Sequence, residues 1–408
     1  MRRAALAIVL GFFLCAPCVV RAQGEFALEL QEIKGKAPPG VAEVEKTVSP
    51  LPGKPYKVKA LPAGLSRHVS YYGVHLAGKP IVMLLDMTEA PKLYVDTNAD
   101  FDLSNDKPAE GTTEKEQPIP GDANMKTYDF GAFRVEGGEG RAPVMVRAKV
   151  AIWGKEGNNY LSLYPAAIRS GQVRLGDKSY TVQLVDADFD GRYDGMASLS
   201  TSRDKWDLIA VDLGSQGTAA AQTAPSEEAQ PLSKLMRLGG NYYGVQVAAD
   251  GSTMRLEEAH TALATLDVGQ PGVKLTVMSD SGFYSLSGEG KWQLPVGHYQ
   301  TQRVTLSKTD DKGDVWTLSG SASTGKLKAF DIAEGQTLAT KAGPPLVVRT
   351  SADNMGARAV SIGVDVTGQA GEKYTPGVAK NGAAEPPPTL RILDESGKVL
   401  GAGSFQYG

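Results

Sequence analysis

The chain has 408 residues, a formal net charge of −3, 47 glycines and 24 prolines, and its two cysteines are Cys15 and Cys18. Cysteine confined to the extreme N-terminus excludes a disulfide framework, a thiolate zinc site and a cysteine nucleophile from the rest of the chain. A weakly acidic balance without a basic patch excludes nucleic acid and an anionic membrane as expected partners.

Residues 1–22 have the three parts of a secretory signal: Arg2 and Arg3, an apolar run from residue 4 to 20, and Val20-Arg21-Ala22 before the expected cleavage point. Pro17 and Arg21 interrupt the run, whereas a lipid-spanning helix needs ~20 apolar residues. The expectation is therefore an exported chain, secreted or periplasmic, with no membrane span after cleavage. The remainder is long enough for two or three cores at ~100–200 residues each.

Beyond the signal, a period of two dominates. Val58 and Ala60, Tyr180-Val182-Leu184, Val273-Leu275-Val277 and Val360-Ile362-Val364-Val366 alternate as half-buried strands require. The strand at Lys92–Val95 leads into Asp96-Thr97-Asn98-Ala99-Asp100-Phe101-Asp102, with Asp106 closing the segment. Asp96, Asn98, Asp100 and Asp102 stand at alternate positions, a spacing that lets oxygens converge on one hard cation. Phe101 takes the place where such a loop has glycine, at a cost if φ is positive there.

A hairpin is expected between Val173-Leu175 and Tyr180-Val182. Its second strand ends in the fuller copy, Asp186-Ala187-Asp188-Phe189-Asp190-Gly191-Arg192-Tyr193-Asp194-Gly195. Calcium takes six to eight oxygens at ~2.3–2.6 Å. Asp186, Asp188, Asp190, the Arg192 carbonyl and Asp194 are the expected donors, with Gly191 at the sharp turn of position six. Ala197 stands at position twelve, where a bidentate glutamate is usual, so another segment or water has to close the site. Both copies contain Ala-Asp-Phe-Asp. The structural alternative for each is a solvated turn, because Asp, Asn and Gly are good turn formers.

A third strand, 208–211, leads to Asp212-Leu213-Gly214, where the carboxylates are lost. Residues 214–231 are small and polar and are expected to be a mobile insert. A second hairpin is expected between Tyr243-Val245-Val247 and Met254-Leu256, and a third between Leu390-Ile392 and Val399. The best helical candidate is short, at 257–266. The expected fold class is all-β: multidomain antiparallel β-sandwiches with Asp-rich loops at strand ends. The expected divisions are 1–22, the signal; 23–262, a β-rich domain carrying the loops; 263–310, a small β-module; and 311–408, a C-terminal sandwich.

Other chemistry is weaker. Gly320–Lys326 nearly spells a phosphate loop, but Leu327 replaces the magnesium-binding hydroxyl and no long helix follows. Asp86 and Asp212 each follow an apolar strand, but neither has the full Asp-Thr/Ser-Gly motif of an acid-protease dyad. His68, His75, His260 and His298 show no metal spacing, and the four tryptophans are scattered.

No amphipathic helices flank the Asp-rich loops, so they do not read as paired EF-hands. They are similar to the isolated calcium loops of dockerin modules and thrombospondin type-3 repeats, over about a dozen residues each. The order of loops followed by Gly239-Gly240-Asn241-Tyr242-Tyr243 through Asp250-Gly251 resembles a group of secreted bacterial β-rich proteins. The run Trp292-Gln293-Leu294-Pro295-Val296-Gly297-His298-Tyr299 resembles prealbumin-like, carboxypeptidase-regulatory-like modules, in which Tyr packs back on the sheet. These resemblances imply calcium as the cofactor and a structural or adhesive role, with an envelope glycan or protein as the class of partner. The expectation is a non-enzymatic envelope or extracellular binding or scaffold component. The alternative is a secreted hydrolase, glycan-acting or other, using a carboxylate pair that sequence cannot assign.

Overall fold

The computed structural model describes residues 22–35, 37, 41, 44–118, 124–154, 157–175, 178–212, 229–238, 240–321, 324–356 and 360–405. The expected signal lies outside them except for Ala22, which opens the strand Ala22–Ala27. The expected insert 214–231 also lies mostly outside. Its last residues, Gln230–Pro231, pair with the strand Leu208–Asp212. No described helix is long and apolar enough to cross a membrane.

The fold is all-β, built of several sheets whose strands pair almost throughout in the antiparallel sense. A four-stranded sheet runs Val69–Leu76, Lys79–Asp86, Lys92–Val95, Ala109–Glu110. It faces a five-stranded sheet that includes Met125–Val135, Val144–Trp153 and Asn158–Pro165. Their shared core holds Tyr72, Met83, Leu85, Leu93, Val146, Val150 and Leu163. The strand Lys79–Asp86 (KPIVMLLD) is a continuous apolar run because both its faces are covered. Ile81, Met83 and Leu85 enter that core, and Val82 and Leu84 enter a smaller one with Tyr94 and Leu103 on the other side.

A second sandwich joins the sheet of Lys178–Val185, Ala167–Leu175 and Leu208–Asp212 to the sheet of Asn241–Val247 and Thr253–Glu258. Val182, Leu184, Ile209, Val245, Met254 and Leu256 fill it. All three expected hairpins form, with Val173 opposite Tyr180, Val247 opposite Met254, and Leu393 opposite Val399. The helical expectation at 257–266 is corrected. Those residues end the strand Thr253–Glu258 and begin Leu263–Asp267, whose Leu266 is fully buried. The short apolar spacing that suggested a helix serves two strands of different sheets, since tertiary burial overrides a ten-residue pattern.

A third core packs a three-stranded sheet onto a nine-stranded one. The border expected at 310/311 falls between Gly297–Thr309 and Val315–Ser321, which pair as a hairpin. One hydrophobic cluster holds Leu275, Tyr299 and Val304 from one side of that border and Phe330, Ile332 and Tyr374 from the other. Tyr299 packs back on this core, stacks on Phe330 and donates its hydroxyl to the Pro295 carbonyl at 2.7 Å.

Candidate metal centre

The loop 186–195 leaves the central strand Lys178–Val185 of the second sandwich. Asp186 is buried, and its two carboxylate oxygens accept the Asp190 N–H at 3.1 Å and the Gly191 N–H at 2.8 Å. Asp188 Oδ1 also accepts the Asp190 N–H, and Asp190 Oδ1 accepts the Arg192 N–H at 2.7 Å. These short-range bonds turn the chain so that Asp186, Asp188 and Asp190 each present an oxygen within 4.8 Å of the others. Such a triad could hold a metal ion, and its all-oxygen donors suit a hard divalent cation.

Gly191 has φ +80°, and a Cβ there would lie 2.6 Å from the Ala142 carbonyl oxygen. Gly191→Ala is therefore expected to destabilise the fold by about 1–3 kcal/mol through left-handed strain, before the clash is counted. A urea-denaturation midpoint equal to that of the unsubstituted chain would refute the constraint.

Long-range contacts complete the site. Asp207, immediately before the next strand, Leu208–Asp212, is buried and closes the loop from outside. It accepts the Ala187 N–H at 3.2 Å and the Gly195 N–H at 2.7 Å. A Cβ on Gly195 would crowd Asp207 Oδ2 at 2.9 Å, so a glycine permits this approach. Burial pushes the Asp207 carboxyl up to about 9, with the Asp186 and Asp188 charges adding to it. Burial raises Asp186 in the same way, aided by Asp188 and Asp190. Among the described residues no cationic side chain pairs with Asp186 or Asp207. The outer carboxylates do have cations: Arg141 Nη1 meets Asp190 Oδ2 at 2.7 Å, and Lys205 Nζ meets Asp188 Oδ2 at 3.4 Å.

Asp194, an expected ligand, is instead gripped by the Arg192 guanidinium at 2.6 and 2.9 Å. Asp207, Arg141 and Lys205 were not expected. Asp207 sits 20 residues from Ala187 and Arg141 sits 49 from Asp190, so no local spacing announces them.

The loop 96–106 repeats the device on the first sandwich. Asp96, buried, accepts the N–H groups of Asp100 and Phe101, both at 3.0 Å. Asn98 Oδ1 accepts the Asp100 N–H at 3.1 Å, and Asp100 Oδ1 accepts the Asp102 N–H at 2.7 Å. Each bond has its counterpart in the second loop, with Asp96 matching Asp186. That alignment displaces the shared Ala-Asp-Phe-Asp by two positions between the loops. Ala99 and Phe189 then correspond, at φ 59° and 61°, as do Phe101 and Gly191, at φ 63° and 80°. Phe101 thus does occupy the left-handed position that favours glycine.

Asp106 bends back towards this loop, and its Oδ2 is buried with no hydrogen-bond partner among the described residues. Burial, then the charges of Asp96 and Asp100, raises its carboxyl to about 6. Asp102 does not turn inward alone, because its Oδ1 accepts the Ser104 N–H at 3.0 Å.

The loops grip one sheet from opposite sides. Phe189 enters the core between the sheets of the first sandwich, while Leu103 and Phe101 pack on the outer face of the same four-stranded sheet. The second loop also bonds to four other segments: Ala77 N–H to the Phe189 carbonyl, Ala142 N–H to the Gly191 carbonyl, Tyr193 N–H to the Ala249 carbonyl and Ala197 N–H to the Leu232 carbonyl. Tyr193 belongs to the core of the second sandwich, and Ala197 packs with Trp206 and Met278.

The remaining sequence candidates stay apart. Asp86 accepts the Ser66 N–H at the end of its strand. All four histidines are exposed, and no tryptophan is. At the glycine-rich segment, Thr324 donates its hydroxyl to the Gly371 carbonyl and Leu327 is buried in the third core. No family model, curated protein or solved structure matches the chain.

Proposed function

We propose that the loops 186–195 and 96–106 each hold one calcium ion, and that the ions fasten the two sandwiches of an exported, non-enzymatic β-protein. The reading rests on one observation: three aspartates of a single loop with oxygens within 4.8 Å of one another, one of them buried with no cationic partner among the described residues. Asp186, Asp188 and Asp190 would supply carboxylate oxygens in the second loop. Asp96, Asp100 and Asp106 would supply carboxylate oxygens and Asn98 its amide oxygen in the first, with Asp102 and Asp194 on the margins. A bound divalent ion screens carboxylates that otherwise repel across the folded loop. The fastening serves a chain whose cysteines, Cys15 and Cys18, lie in the expected signal and leave the sandwiches without a disulfide to perform it. Such a protein suits an envelope or extracellular scaffold or binding role, at the surface class expected from the sequence.

Calcium titration by calorimetry on the chelator-treated chain is the test. Two sites are expected, with Asp186→Asn abolishing one and Asp96→Asn the other. Heats indistinguishable from buffer dilution, or unchanged stoichiometry in both variants, would overturn the reading.

A further inference from the structure

Among the described residues, the outer edge of the nine-stranded sheet is the strand Val347–Asn354, which pairs on one side only, with Val360–Thr367. The hairpin they form projects from the body. Val360–Thr367 joins the next strand, Lys373–Lys380, through just two residue pairs, Val366 with Tyr374 and Thr367 with Lys373. Beyond that base, every residue of Val347–Asn354 is exposed. Val348 is 63% exposed and Met355 69%.

Unpaired edges template further pairing, and natural chains blunt them with proline, lysine, bulges or short strands. The only protection of this kind on the edge is two charged side chains, Arg349 and Asp353, of opposite sign. The strand pairs over eight residues without a bulge and contains neither proline nor lysine. The ribbon is also two-faced. Val348, Thr350 and Ala352 share a face with Val366, Val364 and Ile362, while Arg349, Ser351 and Asp353 share the other with Asp365, Gly363 and Ser361.

The edge sequence Val347-Val348-Arg349-Thr350-Ser351-Ala352-Asp353-Asn354-Met355 is self-complementary about Ser351. In an antiparallel pair centred there, Arg349 lies opposite Asp353 of a second copy, and the two-fold axis repeats the contact. Val347 meets Met355 in the same register. Thr350 meets Ala352, so the apolar faces of the two ribbons run on as one. Moving the centre to a neighbouring residue loses the charge match. Opposite charges directly across strands stabilise a pair, and like charges oppose it. The same patch on both copies is what a two-fold interface requires.

We infer that the chain forms a homodimer by antiparallel pairing of the edge strand Val347–Asn354 with its own copy, in the register that centres on Ser351.

The test is sedimentation equilibrium of the full chain over a range of concentrations, with circular dichroism as the check on folding. A monomer–dimer equilibrium is expected. Arg349→Glu and Asp353→Arg, each placing like charges across the axis, should each weaken it by at least about tenfold. Combining both substitutions restores opposite charges and should recover most of the affinity. Under mild oxidation Ser351→Cys should give a disulfide-linked dimer above the unsubstituted chain's background from Cys15 and Cys18. Asp353→Cys, which faces residue 349 of the copy, should not. A chain monomeric at every concentration, a dimer indifferent to the single charge reversals, or equal cross-linking from positions 351 and 353 would overturn the inference.

Discussion

Phe189→Ala is expected to cost about 3–5 kcal/mol of stability, the range for removing a buried aromatic ring from a packed core. The expectation is unusual for a residue in the middle of an acidic loop. Phe189 is 1% exposed and lies with Leu76, Met83 and Val146 between the sheets of the first sandwich. Its carbonyl accepts the Ala77 N–H at 2.9 Å, so the backbone is anchored beside the ring. Its φ of 61° gives alanine the same left-handed strain that Phe189 bears. Phe189→Gly removes that strain along with the ring, and should be no less stable than Phe189→Ala despite the added freedom of its unfolded chain. Urea-denaturation midpoints of the two variants and the parent chain are the measurement. A loss below about 1 kcal/mol for alanine would mean that the loop sits on the sandwich without filling it.

The second large effect couples calcium to pH. In the metal-free protein, burial raises the Asp207 carboxyl to about 9, far above its range in an unfolded chain. The folded state therefore binds this proton more tightly than the unfolded state. Stability from that group is complete below about pH 4 and is lost progressively as pH rises towards about 9. The metal-free chain should accordingly melt at a lower temperature at about pH 8 than at about pH 5. Calcium at a hundred times its dissociation constant adds about 2.7 kcal/mol. For a domain of this size that is a rise of about 5–10 °C in melting temperature. The rise should be larger at the higher pH, where fewer protons compete with the ion. Asp207→Asn should flatten the pH dependence of the metal-free chain while losing about 1 kcal/mol, since one of its two N–H contacts has no acceptor. A metal-free melting temperature that climbs between the two pH values, with calcium making no difference at either, would remove both halves of the argument.

The Asp-rich loops were legible because their defining bonds are local. Asp186 reaches the N–H groups four and five residues on, and Asp188 and Asp190 reach two residues on. Alternate acidic spacing encodes such turns directly. The shared tetrapeptide was a poorer guide, because Ala-Asp-Phe-Asp starts one position after Asp186 but three after Asp96. In each loop the hydrogen bonds of the leading aspartate set the register, and the phenylalanine follows it into a different environment. The closing groups were not legible. Asp207 arrives from the segment before Leu208–Asp212 and Arg141 from the turn between Met125–Val135 and Val144–Trp153, and Asp194, which fits the ligand spacing, is held by the neighbouring Arg192.

Alone, the sequence determined what depends on neighbours a few residues apart: the strand period of two, the three hairpins and the oxygen-rich turns. Tertiary structure decided which of those oxygens are buried together, that Phe189 and Leu103 pin opposite faces of one sheet, and that 257–266 divides between two strands. Backbone geometry and side-chain spacing act over one turn of chain, whereas burial and charge pairing depend on segments that meet only when the sheets pack.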